Sequence, residues 1–224
     1  NTGATLAMVT TDGYDLNNPY ELSAKDKKKI KSTAKSKQAE AESAALSNMW
    51  RNKAVADTYM PGSVFKMCVA SAALEENLVN EKTSFTCTGS ISVEGETIHC
   101  SNISGHGTQN FVEAISNSCN PAFIQIGQML GAGKFRQYYQ GFGFSDKTGI
   151  DLPGEADDEF WAEGKMGGVD LAVASFGQNF AITPIQMITA CAAVSNGGYV
   201  VQPHVVSKIT DSKGNVIKSV DKKV

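Results

Sequence analysis

The segment from Tyr59 to Leu74, YMPGSVFKMCVASAAL, constrains the chain most strongly, because it places a lysine inside an otherwise apolar helical pattern. A Pro-Gly pair ends the preceding loop, and Ser63 opens the predicted helix. After Lys66, the remaining residues are apolar or small except for Ser71. A buried ammonium group is costly unless it is paired or deprotonated. The segment therefore predicts a core helix in which the lysine has a dedicated partner or a lowered pKa.

Ser63 and Lys66 are three positions apart, so on a helix they lie on one face. A serine hydroxyl is a poor nucleophile until a base removes its proton, and a desolvated lysine is a candidate base. Backbone N–H groups at the start of the helix would stabilise a developing oxyanion. The same pair is also typical of an N-cap serine followed by a lysine whose ammonium reaches solvent. The S-x-x-K pattern alone does not decide between these interpretations.

A second element, ISNSCNPAF, places Ser118 and Asn120 in a stretch that interrupts a helix. A hydroxyl beside a neutral lysine can relay a proton, and an asparagine amide can hold a substrate carbonyl. S-x-x-K occurs with S-D-N and K-T-G in penicillin-binding proteins and class A β-lactamases. In this chain Cys119 occupies the middle position of the second motif.

The stretch RNKAVADTYMPGSVFK closely resembles the active-site serine region of class B penicillin-binding proteins, R-N-x-A-V-x-D-x-Y-x-P-G-S-x-F-K. Further segments resemble the same family in the family's order: TGATLAMVTTDGYDLNNP, GHGTQNFVEAISNSCNPAF, TGIDLPGE and FGQNFAITPIQM. The resemblance covers nearly the whole chain apart from a lysine-rich segment. It predicts a partial transpeptidase domain over residues 1–224.

The resemblance implies that Ser63 is the acylated nucleophile and Lys66 its general base. Ser118 would relay the proton to the departing D-alanine, and Asn120 would bind the amide of a substrate or β-lactam. The implied reaction is peptidoglycan D,D-transpeptidation, in which an amine from a neighbouring stem peptide resolves the acyl-enzyme. The expected partners are therefore peptidoglycan stem peptides and β-lactam antibiotics, and the family needs no cofactor or metal.

The K-T-G at residues 147–149 does not match the family's strand motif, although its letters are the same. In the family that motif follows the T-P-x-Q helix and lies on a strand lining the cleft, whereas Lys147 runs into the turn IDLPGE. We therefore expect Lys147 not to be catalytic and the cleft strand to lie beyond Val224. The implied fold is the α/β (α+β) penicillin-binding transpeptidase fold, here mostly the helical lobe and serine-bearing core, with most of the central antiparallel sheet missing.

A chain without that sheet has two expected consequences. The apolar face of the Ser63 helix, from Val64 to Leu74, would lack partners, and exposed apolar surfaces of this size are rare in soluble monomers. We expect residues 1–224 alone to acylate weakly or not at all. We also expect them to cover this face by self-association, or through a partner chain carrying the missing strands.

Composition and charge exclude some function classes. The formal net charge is -3, which gives no reason to expect a nucleic-acid partner. No apolar run is long enough to span a bilayer, and no signal peptide is visible. Because the first residues are typical of a turn leading into a strand, we expect the chain to start within a domain, and the resemblance predicts a membrane anchor outside it. The full-length protein would then act at the extracytoplasmic face of the bacterial cell membrane.

The five cysteines show no C-x-x-C pair and no His/Cys cluster at metal-ligand spacing. Cys87 and Cys100 flank a predicted hairpin and could face each other across its strands, but the register is not set by sequence, so a disulfide there stays open. Cys68, Cys119 and Cys191 lie in apolar helical patterns typical of core residues. No catalytic role is predicted for the histidines, which are His99, His106 and His204.

Local signals predict the remaining elements. A strand is expected from Ala4 to Val9, a lysine-rich helical or mobile excursion over residues 24–49, and a hairpin over residues 85–100 that turns near Glu94 and Gly95. A helix from about Phe111 should be interrupted by SNSCNP, and a later helix should begin with Thr183 as N-cap. A C-terminal hairpin is expected over residues 200–220. The lysines of residues 24–49 are interpreted as a solvated face.

Two other functions share these motifs. A β-lactam sensor domain uses a similar serine and lysine but only reports acylation, and a serine β-lactamase deacylates rapidly. The segments TPIQ and DLPGE favour the transpeptidase. The sequence does not distinguish roles in division, elongation or sporulation.

Overall fold

Helices dominate the computed structural model, which describes residues 1–11, 13–157 and 160–224. The helices are α1 (Ala24–Lys31), α2 (Gln38–Trp50), α3 (Lys53–Ala56), α4 (Lys66–Glu75), α5 (Phe111–Ser116), α6 (Asn120–Gly141), α7 (Gly168–Ala174) and α8 (Pro184–Ser195). The strands are β1 (Ser84–Cys87), β2 (Ser90–Val93), β3 (Glu96–His99), β4 (Gly107–Asn110), β5 (Lys208–Thr210) and β6 (Val216–Ser219). They pair as three antiparallel two-stranded sheets, β1–β4, β2–β3 and β5–β6. The predicted fold class is therefore confirmed: an α+β chain with short sheets.

The core is built around α4 and the residue that precedes it. Helix α4 packs against α6 and α8, and α6 packs against α7. Phe65 is only 2% exposed, and its ring contacts an aromatic cluster formed by Phe135, Tyr139, Phe144 and Phe180. Burying a phenylalanine in this way stabilises a fold by about 1.5–3 kcal/mol. The aromatic cluster therefore holds the start of α4 in place.

The expectation of an uncovered apolar face on the Ser63 helix was largely wrong. Helices α6 and α8 cover α4, and only Val64 and Leu74 remain substantially exposed at the two ends. The covered residues are Cys68, Val69, Ala70, Ala72 and Ala73. The helical part of the fold is thus sufficient to bury most of this face.

The predicted strand from Ala4 to Val9 is also absent from the structure as a continuous element. Ala4 forms an isolated parallel bridge with His204. The N–H of Val206, which would extend that ladder, instead donates to the Asp151 carboxylate at 2.8 Å. Without a neighbouring strand, Val9 is 87% exposed.

The hairpin expected over residues 85–100 is shorter than predicted. Its turn is at Glu94 and Gly95, as predicted, and it joins β2 to β3. Phe85 belongs instead to β1, which pairs with β4, where it lies opposite Gln109. The C-terminal strands β5 and β6 are joined by a turn in which Asp211 accepts hydrogen bonds from the backbone N–H groups of Lys213 and Asn215.

The VDLAVA segment lies within α7 and ends that helix at Ala174. The lysine-rich residues 24–49 form α1, a short 3₁₀ turn (Lys35–Lys37) and α2, and neither α-helix has a buried residue. Trp50 holds the end of α2 against the loop of Pro19 and Tyr20. Its Nε1 donates to the Pro19 carbonyl, and its ring packs edge to face against Tyr20. None of the described helices is both long and apolar enough to cross a membrane.

Candidate active site

Ser63 lies at the exposed start of the central helix. It belongs to a 3₁₀ turn, Gly62–Phe65, that runs directly into α4. Gly62 has a positive φ of 60°, and its N–H donates to the Gly177 carbonyl at 2.8 Å. Since a Cβ on Gly177 would lie 2.0 Å from the Gly62 oxygen, only glycine permits this close approach. The two loops together fix the turn that presents Ser63.

Ser118 lies in the short connection between α5 and α6. Helix α5 begins with a capping box, in which Asn110 and Glu113 satisfy each other's backbone N–H groups. After the helix ends, Ser118 adopts a φ of 49°, which non-glycine residues rarely adopt. Cys119 is the N-cap of α6, and Asn120 is its first residue. Backbone strain of this kind is often found at functional sites.

Tertiary packing brings all four predicted site residues together. Lys66 Nζ donates to Ser118 O at 2.6 Å, to Ser118 Oγ at 2.9 Å and to Asn120 Oδ1 at 2.8 Å. Ser118 Oγ in turn donates to Ser63 Oγ at 3.0 Å. Ser63 is therefore linked to Lys66 through the Ser118 hydroxyl.

Lys66 is deeply buried, with 4% of its surface exposed. Burial lowers the pKa of its ammonium to about 8, because the charged form loses hydration. The sulfurs of Cys100 and Cys119 oppose this shift, since a thiolate nearby favours the charged form. A lysine with this pKa has an appreciable neutral fraction near neutral pH, as a general base requires.

The three acceptors around Lys66 define where its proton can move. Ser118 O and Asn120 Oδ1 can only accept, so each holds one N–H of Lys66 in either protonation state. The Ser118 hydroxyl can both donate and accept. When Lys66 is neutral, its lone pair can therefore point at Ser118 Oγ while the other two bonds persist.

Asn120 connects this network to the β2–β3 hairpin. Its Oδ1 accepts from Lys66, and its Nδ2 donates to the His99 carbonyl at 3.3 Å. An amide nitrogen carries two hydrogens, so a second donor remains on Asn120 beyond the bond to His99.

Lys147 takes part in a different set of contacts. Its Nζ forms an ion pair with Asp157 Oδ1 at 3.0 Å. Thr148 donates from both its backbone and its hydroxyl to Glu155. These contacts fix the IDLPGE turn, and none of them involves Ser63, Lys66 or Ser118.

The spacing of cysteine and histidine residues in the sequence did not reveal one group of residues near this site. The structure brings together Cys87, Cys100, His106 and Cys119, whose ligand atoms lie within 4.8 Å of one another. All five cysteines are free, so the Cys87–Cys100 disulfide that sequence left open is not formed. The four residues come from the end of one strand, two loop positions and a helix N-cap, and their irregular spacing gave no motif to recognise.

A family model described as the penicillin-binding protein transpeptidase domain matches residues 1–224. Stage V sporulation protein D of Bacillus subtilis is 41% identical over 162 residues, which is 72% of this chain and 25% of the relative. The peptidoglycan D,D-transpeptidase PbpA of Mycobacterium tuberculosis is 29% identical over 218 residues, covering 93% of this chain and 41% of the relative. The chain thus spans between a quarter and about two fifths of the length of these relatives.

Solved structures agree with this assignment. The chain resembles penicillin-binding protein A of M. tuberculosis in its imipenem acyl-enzyme complex, with a TM-score of 0.78 and 26% identity over 99% of this chain and 50% of that one. It also resembles M. tuberculosis penicillin-binding protein 3 in complex with ampicillin, with a TM-score of 0.70 and 26% identity over 77% of this chain and 38% of that one. The motif-based prediction is confirmed, and the chain belongs to the transpeptidase-domain family of class B penicillin-binding proteins.

Proposed function

We propose that this chain is the serine-bearing part of a peptidoglycan D,D-transpeptidase that cross-links stem peptides through an acyl-Ser63 intermediate. The observation that carries the proposal is the continuous hydrogen-bonded path from Ser63 Oγ through Ser118 Oγ to the buried Lys66 Nζ. Relatives named as D,D-transpeptidases and a neighbouring structure of an acyl-enzyme complex support the same reaction.

In the first step, Ser63 Oγ attacks the carbonyl carbon of the penultimate D-alanine. Its proton passes through Ser118 Oγ to the neutral amine of Lys66. The bond to the terminal D-alanine then breaks, and the proton returns through Ser118 to the leaving amine. Asn120 keeps its oxygen on Lys66 and offers its second N–H to the substrate.

In the second step, an amine from a neighbouring stem peptide attacks the Ser63 ester. The amine loses a proton to the same relay, a new peptide bond forms, and the proton restores the Ser63 hydroxyl. A β-lactam enters the same pathway at the first step, because its strained amide acylates Ser63. Since peptidoglycan lies outside the cell membrane, we place the full-length protein at the extracytoplasmic face, held by a membrane anchor.

Intact mass spectrometry of the full-length protein with benzylpenicillin tests this proposal. We expect a long-lived adduct of the antibiotic's mass that maps to Ser63 and is lost in Ser63→Ala. Ser71→Ala is a matched control, because Ser71 lies on the same helix and, among the described residues, its hydroxyl bonds only to the Met67 carbonyl. An adduct that survives Ser63→Ala would contradict the proposal, and one released within seconds would indicate a β-lactamase instead.

A further inference from the structure

Three thiols and one imidazole converge beside the Ser118 turn. Cys87 ends β1, Cys100 follows β3, His106 precedes β4, and Cys119 is the N-cap of α6. The cysteines are at most 4% exposed and His106 is half-buried. Three cysteines and one histidine are the donor types found in closed, structural zinc sites, and this group plays no part in the proposed acyl transfer.

The spacing of the donor atoms fits a tetrahedral zinc ion. Zn–S bonds of about 2.3 Å and Zn–N bonds of about 2.1 Å place two sulfurs about 3.8 Å apart and a sulfur and nitrogen about 3.6 Å apart. Cys100 Sγ and His106 Nδ1 are 3.6 Å apart, and all four donor atoms lie within 4.8 Å of one another. Small side-chain rotations would therefore complete the coordination sphere.

The backbone is shaped to hold these donors together. Gly89 and Gly105 both have positive φ, at 96° and 82°. A Cβ on Gly89 would lie 2.0 Å from the Ile103 oxygen, and one on Gly105 would lie 2.4 Å from the Cys87 oxygen. The loop that carries His106 is thus pressed onto the end of β1 by contacts that only glycine allows.

Polar groups around the sulfurs suit thiolate ligands. The backbone N–H groups of Asn102 and Asn120 lie close to the Cys100 sulfur, where they favour its thiolate form. Gln109 is 3% exposed and its side chain interacts with the Cys119 sulfur, yet among the described residues its Nε2 has no well-formed hydrogen bond. A thiolate held by a metal would give that buried amide a charged acceptor, as outer-shell groups commonly do in zinc sites.

We propose that Cys87, Cys100, His106 and Cys119 bind one Zn²⁺ ion as a structural site. Four protein ligands leave no open position, so the ion would cross-link the chain and would not activate water. Because Cys119 lies between Ser118 and Asn120, the metal ties the proton-relay turn to the loop and strands that flank it. The zinc would thereby hold Ser118 in its strained backbone conformation.

Metal analysis of the full-length protein, reduced and reconstituted with Zn²⁺ alone, tests the proposal. We expect the wild type to contain one more zinc ion per chain than Cys87→Ser or His106→Ala. His106→Cys should retain the ion, because a Cys₄ set also binds zinc. Cys191→Ser is the matched control, since Cys191 lies in α8 outside the cluster, and it should retain full stoichiometry. Co²⁺ in place of Zn²⁺ should give the thiolate charge-transfer and intense visible bands of a tetrahedral site in the wild type but not in Cys87→Ser or His106→Ala.

Thermal unfolding of the wild type tests the proposal even if the variants fail to fold. A chelator should lower its thermal unfolding temperature, and added Zn²⁺ should restore it. Ser63→Ala should bind zinc as the wild type does, so the metal site can be tested even if the acylation proposal fails. Absence of zinc after reduced reconstitution, or full zinc retention in both Cys87→Ser and His106→Ala, would overturn the proposal. The proposal would also be overturned if two of the three clustered cysteines form a disulfide in the purified protein and the reduced protein then binds no metal.

Discussion

The hydroxyl of Ser118 donates a hydrogen bond to the hydroxyl of Ser63 across 3.0 Å, although Ser63 lies at the start of the central helix and Ser118 in the connection between α5 and α6. Ser118 reaches this position through a left-handed backbone conformation at the junction of α5 and α6. The same side chain also contacts Lys66, so the hydrogen-bonded path from Ser63 to Lys66 depends on one short, strained turn. Four expected outcomes follow from this arrangement and from the loops that support it.

Lys66→Arg in the full-length protein should abolish acylation by benzylpenicillin. A guanidinium stays protonated and cannot accept the proton of Ser63. Lys147→Ala is the matched control, because Lys147 pairs with Asp157 in a separate turn, and it should acylate at nearly the wild-type rate. Acylation rates from gel labelling with fluorescent penicillin would measure both. Equal losses in the two variants would mean that the K-T-G of residues 147–149 takes part in the chemistry.

Ser118→Ala should slow acylation by about 10²–10⁴-fold, the usual contribution of a positioned proton-transfer group. The nearby Ser116 provides a control, because within the part of the chain that the structure describes its hydroxyl bonds only to the Val112 carbonyl of α5. Ser116→Ala should leave the rate unchanged. A rate in Ser118→Ala close to that of the wild type would show that the proton reaches Lys66 by another route.

The acylation rate should rise with pH and level off above about pH 8. Burial lowers the pKa of Lys66 to about 8 from its ordinary value of 10.5, and only the neutral amine can act as base. At pH 7 about a tenth of the molecules would then carry neutral Lys66, and the rate should fall about tenfold for each further pH unit below this. Initial acylation rates measured by mass spectrometry between pH 6 and 9 would show the profile. The Lys147→Ala variant should give the same midpoint, and a flat profile over this range would rule out Lys66 as the titrating base.

Gly177→Ala should destabilise the protein and slow acylation of Ser63. The added Cβ would collide with the Gly62 carbonyl, displacing the turn that presents Ser63. Gly154→Ala isolates the cost of backbone strain, because Gly154 has a similar φ of 82° with open space around it. That strain is worth about 1–2 kcal/mol, so Gly154→Ala should lower the thermal unfolding temperature by a few degrees without altering acylation. Similar acylation rates in the two variants would show that the Gly62–Gly177 contact does not position Ser63.

Sequence alone determined the parts of this protein that depend on neighbouring residues. Thr183 caps α8 with Pro184 in its first turn, as the local pattern predicted. The hairpin turn at Glu94 and Gly95 also matches, since its conformation is set by the residues within it. The S-x-x-K and S-x-N motifs predicted four side chains that the structure brings together, because acyl transfer needs those residue types at short spacings.

Contacts between distant segments were decided only by the tertiary structure. The strand predicted from Ala4 failed because a strand requires a partner, and Asp151 binds the N–H of Val206 that would have extended the ladder. Phe85 paired with β4 and not within the predicted hairpin, because the register between strands depends on packing across the fold.

The His/Cys cluster shows the same limit most clearly. Cys87, Cys100, His106 and Cys119 have no regular spacing, and each lies in a different local structure. Their donor atoms meet because Gly89 and Gly105 allow one loop to press against β1 while the α5–α6 junction brings in the last thiol. The local order of residues predicted the S-x-x-K and S-x-N side chains. Long-range packing placed the Ser118 turn next to the three cysteines and His106.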